Sequence, residues 1–328
     1  MSLEYVIITD VDNPLRGLTY EEVLRAVEKN GLTLECVKDQ TPEICLEAVK
    51  ESGIALQFVK QQTPELCLEA VKQWGCALQY VKHQTPELCL EAVKEDGEAL
   101  RFVRDQTPEI CLIAVKQYGL ALQYVQVQTP EICLAAVKDN GYALYVVKEQ
   151  TPELCLEAVK ENGDALYVVK EQTPGICLEA VKQDGDVLKY VKTQTPELCL
   201  AAVKQLASAL RYVKQQTSDI CLEAVKKHGY ALGYVKDQTP EICLEAVKQY
   251  TGALQYVNDQ YLEYVENALS VKKLAVHEEY VLIYQKGAYS AGCRGPWTRQ
   301  KALNHWDENH PNQERATLFR NAILNHVE

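Results

Sequence analysis

The sequence predicts an all-α fold: an α-solenoid of two-helix, 22-residue repeats with a small C-terminal cap. Three observations predict it. A segment beginning Thr-Pro-Glu at Thr41 recurs every 22 residues at Thr63, Thr85, Thr107, Thr129, Thr151 and Thr195, with Thr-Pro-Gly in register at Thr173, without insertion. Thr217 and Thr239 extend the series, and a diverged unit over residues 19–40 precedes it, so eleven repeats fill residues 19–260. A fixed period of this length marks an array whose units bury their faces against one another. The second observation is that each unit carries helix start and stop signals. The third is that its apolar residues fall at helical spacing.

Residues 1–18 contain an apolar run at Val6–Ile8, then Asn13-Pro14 and Gly17. They are expected to cap the first repeat, since the end of an array otherwise exposes its core. One unit, residues 151–172, shows how each repeat should fold. Thr151 is a good N-cap, Pro152 suits the first helical position, and Glu153 favours the positive end of the helix dipole. Gly163 is expected to end the helix as a C′ residue with positive φ. Leu154, Cys155, Leu156, Ala158 and Val159 span about 200° at helical spacing. So wide an arc fits a helix with neighbours on both sides.

The second segment, ALYVV or ALQYV, is read as a second short helix, with unit positions 15, 16, 18 and 19 on its packed side. Its valines and tyrosines also suit a strand. That alternative gives an α/β horseshoe of helix–strand repeats, for which the L-x-x-L-x-L pattern and Asn ladder are missing. Residues 261–270 continue helically. Residues 261–328 form the C-terminal cap or a small α+β appendage. Tyr280–Tyr284 and Ala288–Gly292 read as a hairpin, Thr298 caps a helix through Trp306, and residues 313–326 make another.

The chain has 328 residues and a net charge of −12, all of it within residues 1–260. Such a balance argues against duplex nucleic acid and against anionic membranes as partners. No apolar run reaches the roughly 18–20 residues that span a bilayer, and no secretory signal is readable at the start. The expectation is a soluble, cytoplasmic protein with its 13 cysteines reduced.

Two ladders run through the repeats. Cysteine holds position 5 from Cys45 to Cys243, and glutamine closes every unit from Gln40 to Gln260. One thiol per unit, inside an apolar arc, reads as a small core filler rather than a metal or redox centre. Stacked glutamine amides are expected to link adjacent turns. Lys at position 10 faces the same way as Glu at positions 3 and 7, a solvated surface. Cys293, His305, His310 and His326 carry suitable zinc donor types, but their spacing matches no common finger. No cofactor and no catalytic motif is implied.

Units such as TPEICLAAVKDNGYALYVVKEQ, residues 129–150, resemble a tandem-repeat family of unknown function marked by AVKxxGxAL. That family occurs in giant viruses of amoebae and in some bacteria. The resemblance covers residues 19–260, although the family's period is often longer and less regular. It implies a helical interaction array without catalytic residues, in a host cytoplasm or a virion if the chain is viral.

Function is therefore sought where the repeats differ. Positions 14 and 17 vary most, and in the sixth and seventh units LQYV becomes LYVV, moving Tyr145 and Tyr167 from the packed arc to the exposed face. Tyr142, Tyr145, Asp164, Tyr167, Asp186 and Lys189 form the candidate protein-binding strip, since Tyr is a favoured interface anchor. The expected function is a non-enzymatic scaffold for a neutral or basic protein or extended peptide. The alternative is a structural component of a viral particle or assembly.

Overall fold

The computed structural model describes residues 15, 17–277, 280–285, 288–291, 294–307 and 310–326. Most of the expected N-terminal cap, and Cys293, lie outside these. The chain divides into two compact units, Met1–Glu171 and Gln172–Glu328.

The first unit stacks the first seven repeats, each an α-helix followed by a short 3₁₀ helix. In the seventh, Thr151 caps Pro152–Glu161, its hydroxyl accepting from the Leu154 N–H at 3.3 Å. The 3₁₀ helix Gly163–Val168 follows after Asn162. The second segment is thus helical, as expected, but wound as 3₁₀ rather than α. Val169 ends it, and the N–H of Val169 bonds to Leu166 three residues back. Leu154, Cys155, Ala158 and Val159 from the α-helix, with Ala165, Leu166 and Val169 from the second segment, form the repeat's core. Leu156 departs from the expected arc: it is only half-buried, as are most of its equivalents.

The glycine acts differently from the expectation. Among the described residues Gly17 is the only glycine with positive φ. The glycine at position 13 instead admits the next repeat. A Cβ on Gly119 would meet the Ala136 carbonyl oxygen at 2.5 Å, and one on Gly97 would meet that of Ala114 at 2.6 Å. The residue is small because the neighbouring helix end occupies the space.

Glutamine joins the repeats, through backbone rather than through other amides. Gln106 Nε2 donates to the Tyr124 carbonyl at 2.9 Å, and its Oε1 accepts from the Gln126 N–H at 3.0 Å. Cys111 Sγ–H donates to the same Oε1 at 3.5 Å. The cysteine is therefore a buried donor that fixes the amide as well as a filler, and the two ladders are one device. Burial raises the thiol pKa along the row, to about 11 at Cys243. Position 20 adds an outer link: Lys82 Nζ donates to the Lys60 carbonyl at 2.9 Å and Arg104 to that of Lys82 at 3.0 Å.

The second unit repeats this pattern through Pro240–Gln249 and Thr251–Tyr256, then changes. The helix Asp259–Leu269 packs on Pro240–Gln249 and ends at Ser270 in the left-handed region. An antiparallel sheet of four strands follows: β1 (Val271–His277), β2 (Tyr280–Gln285), β3 (Ala288–Ala291) and β4 (Arg294–Trp297), in that order. The expected hairpin is β2–β3, with Gln285 opposite Ala288. Helices Arg299–His305 and Gln313–Asn325 cover the sheet around Tyr289, Trp306 and Phe319.

Candidate binding surface

In a 3₁₀ helix the side chains at i and i+3 eclipse, so positions 14 and 17 stand on one side of each repeat. In the first unit this side carries Tyr142, Tyr145, Asp164 and Tyr167. Tyr145 is 76% exposed and Tyr167 70%, while Tyr142 is 41% exposed. The 3₁₀ helices beneath them are held at their starts by asparagine. Asn140 Oδ1 accepts from the Tyr142 N–H at 2.9 Å, and Asn162 Oδ1 accepts from the Asp164 N–H at 3.0 Å.

Position 14 is less open than the sequence suggests, because its side chain leans towards the following repeat. Cys76, at this position, is buried and donates to Asp96 Oδ2 at 3.1 Å. Burial, together with that carboxylate, pushes the Cys76 thiol up to about 12. Asp164 is half-buried, with a buried Oδ1 that lacks a hydrogen-bond partner. The large ring of Tyr142 reaches past its joint to solvent.

The other two predicted residues belong to the second unit. Asp186 is half-buried and accepts from Arg211 at 2.7 Å. Lys189 is exposed, with its ammonium 4.7 Å from the Tyr190 ring centroid. Both are already engaged within their own stack. The sequence placed six residues on one strip; the structure groups the three tyrosines and Asp164 in one unit and ties Asp186 and Lys189 into local contacts of the other.

Two features escaped the sequence reading. Val127, at position 21, is 75% exposed beside a groove of about 370 Å³ floored by Cys133 and walled by Pro130 and Leu154. Equivalent grooves of about 400 and 490 Å³ adjoin Cys45 and Cys67. Their glutamine amides are spent on the joints, so they present few converging polar groups of the kind a small-ligand site uses. The second feature is the row of half-exposed leucines at position 6, among them Leu112 and Leu134. Their helical spacing alone had suggested burial.

In the C-terminal region, His305 lies between Trp297 and Trp306, 4.6 Å from each ring, and 5.5 Å from His310. His326 is separate, its Nδ1 3.1 Å from the Tyr289 hydroxyl. Among the described residues no three His, Cys, Asp or Glu side chains converge as metal ligands, and no helix is long and apolar enough to cross a membrane.

The repeats match the profile of a family described as a domain of unknown function (DUF4116). The matches cover residues 41–84, 63–107, 85–128, 108–151, 195–239 and 217–262, together more than half of the chain. Each spans about two repeats. No curated protein and no solved structure shows significant similarity to the chain.

Proposed function

The chain belongs to the DUF4116 family, and from that premise we propose that it is a non-catalytic repeat scaffold that binds protein. The observation that carries this reading is the exposure of Tyr145 and Tyr167, 76% and 70%, at the same position of consecutive repeats. Tyrosine loses little side-chain freedom on binding and offers both an apolar ring and a hydroxyl. Equivalent atoms of packed neighbouring helices lie about 8–10 Å apart. An extended peptide rises about 3.3 Å per residue, so side chains about three residues apart would meet the two rings. The net charge of −12 favours a basic or neutral peptide. The thiol-rich joints suit a reducing compartment.

The test begins with affinity capture, comparing the whole chain with the Tyr145→Ala, Tyr167→Ala double variant as bait. A partner lost from the variant is then purified and its affinity measured. The expected loss is at least ~2 kcal/mol, about thirtyfold, with the far-UV spectrum unchanged. Equal affinity for both chains would refute the tyrosine face as the binding site.

A further inference from the structure

The α-helices of the first unit carry a second surface, in the layer away from the tyrosines. Position 7 is glutamate in seven of the eleven repeats, and in four of these it pairs with the lysine at position 10. Lys50 lies 2.7 Å from Glu47, and Lys160 lies 2.8 Å from Glu157. In the fifth and sixth repeats that acid is replaced, by Ile113 and Ala135. Both are half-buried, as are Leu112 and Leu134 of position 6, and a groove of about 420 Å³ between helices Pro108–Gln117 and Pro130–Asp139 is lined by Leu112, Leu134 and Ala135 and rimmed by charged residues.

Charge is ordered along this patch. Lys116 and Lys138 stand exposed at its C-terminal end, each without the glutamate three residues before it, and Lys138 is near enough to Glu157 of the next repeat to help hold that carboxyl's pKa down. Glu109 and Glu131, at position 3, stand exposed at the other end. Seven residues separate the two ends of each helix, about 10 Å. Asp139 borders the groove, but its Oδ2 accepts from the Gly119 N–H at 2.7 Å and so serves the joint.

We propose that this face is a contact between two copies of the chain, packed antiparallel about a two-fold axis. A two-fold contact sets a patch against itself. Here it lays apolar centre on apolar centre, and brings Lys116 and Lys138 of each copy to Glu109 and Glu131 of the other. No foreign partner is required for that complementarity. In seven other repeats the glutamate at position 7 puts a charge beside the leucine row, and in four of them it also pairs with the lysine. The ninth repeat loses it too, at Ala201, but in a single helix.

With Leu90 and Leu156 at its flanks, the patch spans four helices about 15 Å long and 8–10 Å apart, on the order of 500–600 Å² per copy. That lies below the ~800 Å² per partner of a standard interface, so the dimer is reversible rather than permanent. Both copies carry a net charge of −12. Physiological salt screens that repulsion beyond about 8 Å, which leaves the pairing at contact to decide.

The test is sedimentation velocity of the whole chain from roughly 1 µM to roughly 200 µM. A concentration-dependent monomer–dimer equilibrium is expected. Ile113→Glu with Ala135→Glu installs the residue that most repeats already carry, so the fold is kept, and should weaken the dimer at least tenfold. Lys116→Glu with Lys138→Glu makes both ends acidic; Glu109→Lys with Glu131→Lys makes both basic. Each of these variants alone should be monomeric, and an equimolar mixture should form a heterodimer. A wild-type monomer throughout, an undiminished dimer in the Ile113/Ala135 variant, or no association in the mixture would each overturn the proposal. The Tyr145/Tyr167 variant should dimerise like the wild type, so failure of the tyrosine face and failure of this face are separable.

Discussion

Replacing Gln106 by leucine tests the joint between repeats directly. The variant keeps the volume and loses two good hydrogen bonds, to the Tyr124 carbonyl at 2.9 Å and from the Gln126 N–H at 3.0 Å. Each is worth about 0.5–1.5 kcal/mol net, and a buried acceptor left alone costs about 1–3 kcal/mol more. The Gln126 N–H lies at an exposed residue and regains water, while the Tyr124 carbonyl belongs to a half-buried one. The weak thiol bond from Cys111 adds little. The expected loss is about 2–4 kcal/mol. Gln126→Ala is the matched control in the same joint, because its amide reaches the Arg104 carbonyl only at 3.5 Å from an exposed position. It should cost less than about 0.5 kcal/mol. Urea unfolding gives the free energies. Hydrogen exchange should show protection falling on both sides of the joint, because such stacks are stabilised by nearest-neighbour contacts. Equal stabilities for the two variants would refute the glutamine as the main polar link.

Three further outcomes follow from the same geometry. Gly119→Ala should cost about 1–3 kcal/mol by forcing the Ala136 carbonyl away. Gly175→Ala, in the first turn of Pro174–Gln183 with nothing within 4 Å of its Cβ, should gain about 0.5–1 kcal/mol; thermal melts read both. Stability should fall as pH rises above 9, because unfolded thiols lose protons from about 9.0 while the folded Cys243 holds its own to about 11. Cys243→Ala should flatten part of that slope in urea midpoints taken between pH 8 and pH 11, with lysine and tyrosine titration common to both chains. Native protein should leave the thiols from Cys45 to Cys243 unreactive to a thiol reagent at neutral pH, and denaturant should release them.

Local chemistry was legible where it acts within one repeat. Thr151, Pro152 and the apolar positions 4, 5, 8 and 9 fixed the α-helix, and turn chemistry placed the β2–β3 hairpin. What escaped depends on a neighbour. Gly119 looks like a helix stop until the next helix end is seen against it. Cys111 and Gln106 read as two ladders because nothing in the spacing shows that Sγ–H meets Oε1. The six residues from the glycine onward suit helix or strand by pattern alone, and nothing in that pattern sets the 3₁₀ winding they adopt. Strand β1 was missed because Lys272-Lys273 interrupts its apolar residues, at the point where a bulge shifts the register between Lys273 and Ala275. At the surface, the exposure of Tyr145 and Tyr167 followed from the change of LQYV to LYVV. The half-burial of Asp164 did not.

The division between constant and variable positions also bears on why the faces differ from repeat to repeat. Residues that make the joints recur almost unchanged, so substitutions at exposed position 17 leave the stack intact, and those at half-exposed position 7 disturb it little. Both proposed surfaces arise where two adjacent repeats depart together. At position 17 the sixth and seventh repeats share the whole string ALYVVKEQ, so duplication of one unit accounts for Tyr145 and Tyr167 as well as binding does. At position 7 the departures are different residues, Ile113 and Ala135, and copying one unit cannot produce both. Two unlike losses of the same acid, side by side, are what an apolar contact requires. The α-helical patch therefore carries the stronger sequence argument, and the tyrosine face stands on its exposure and on the double variant that tests it.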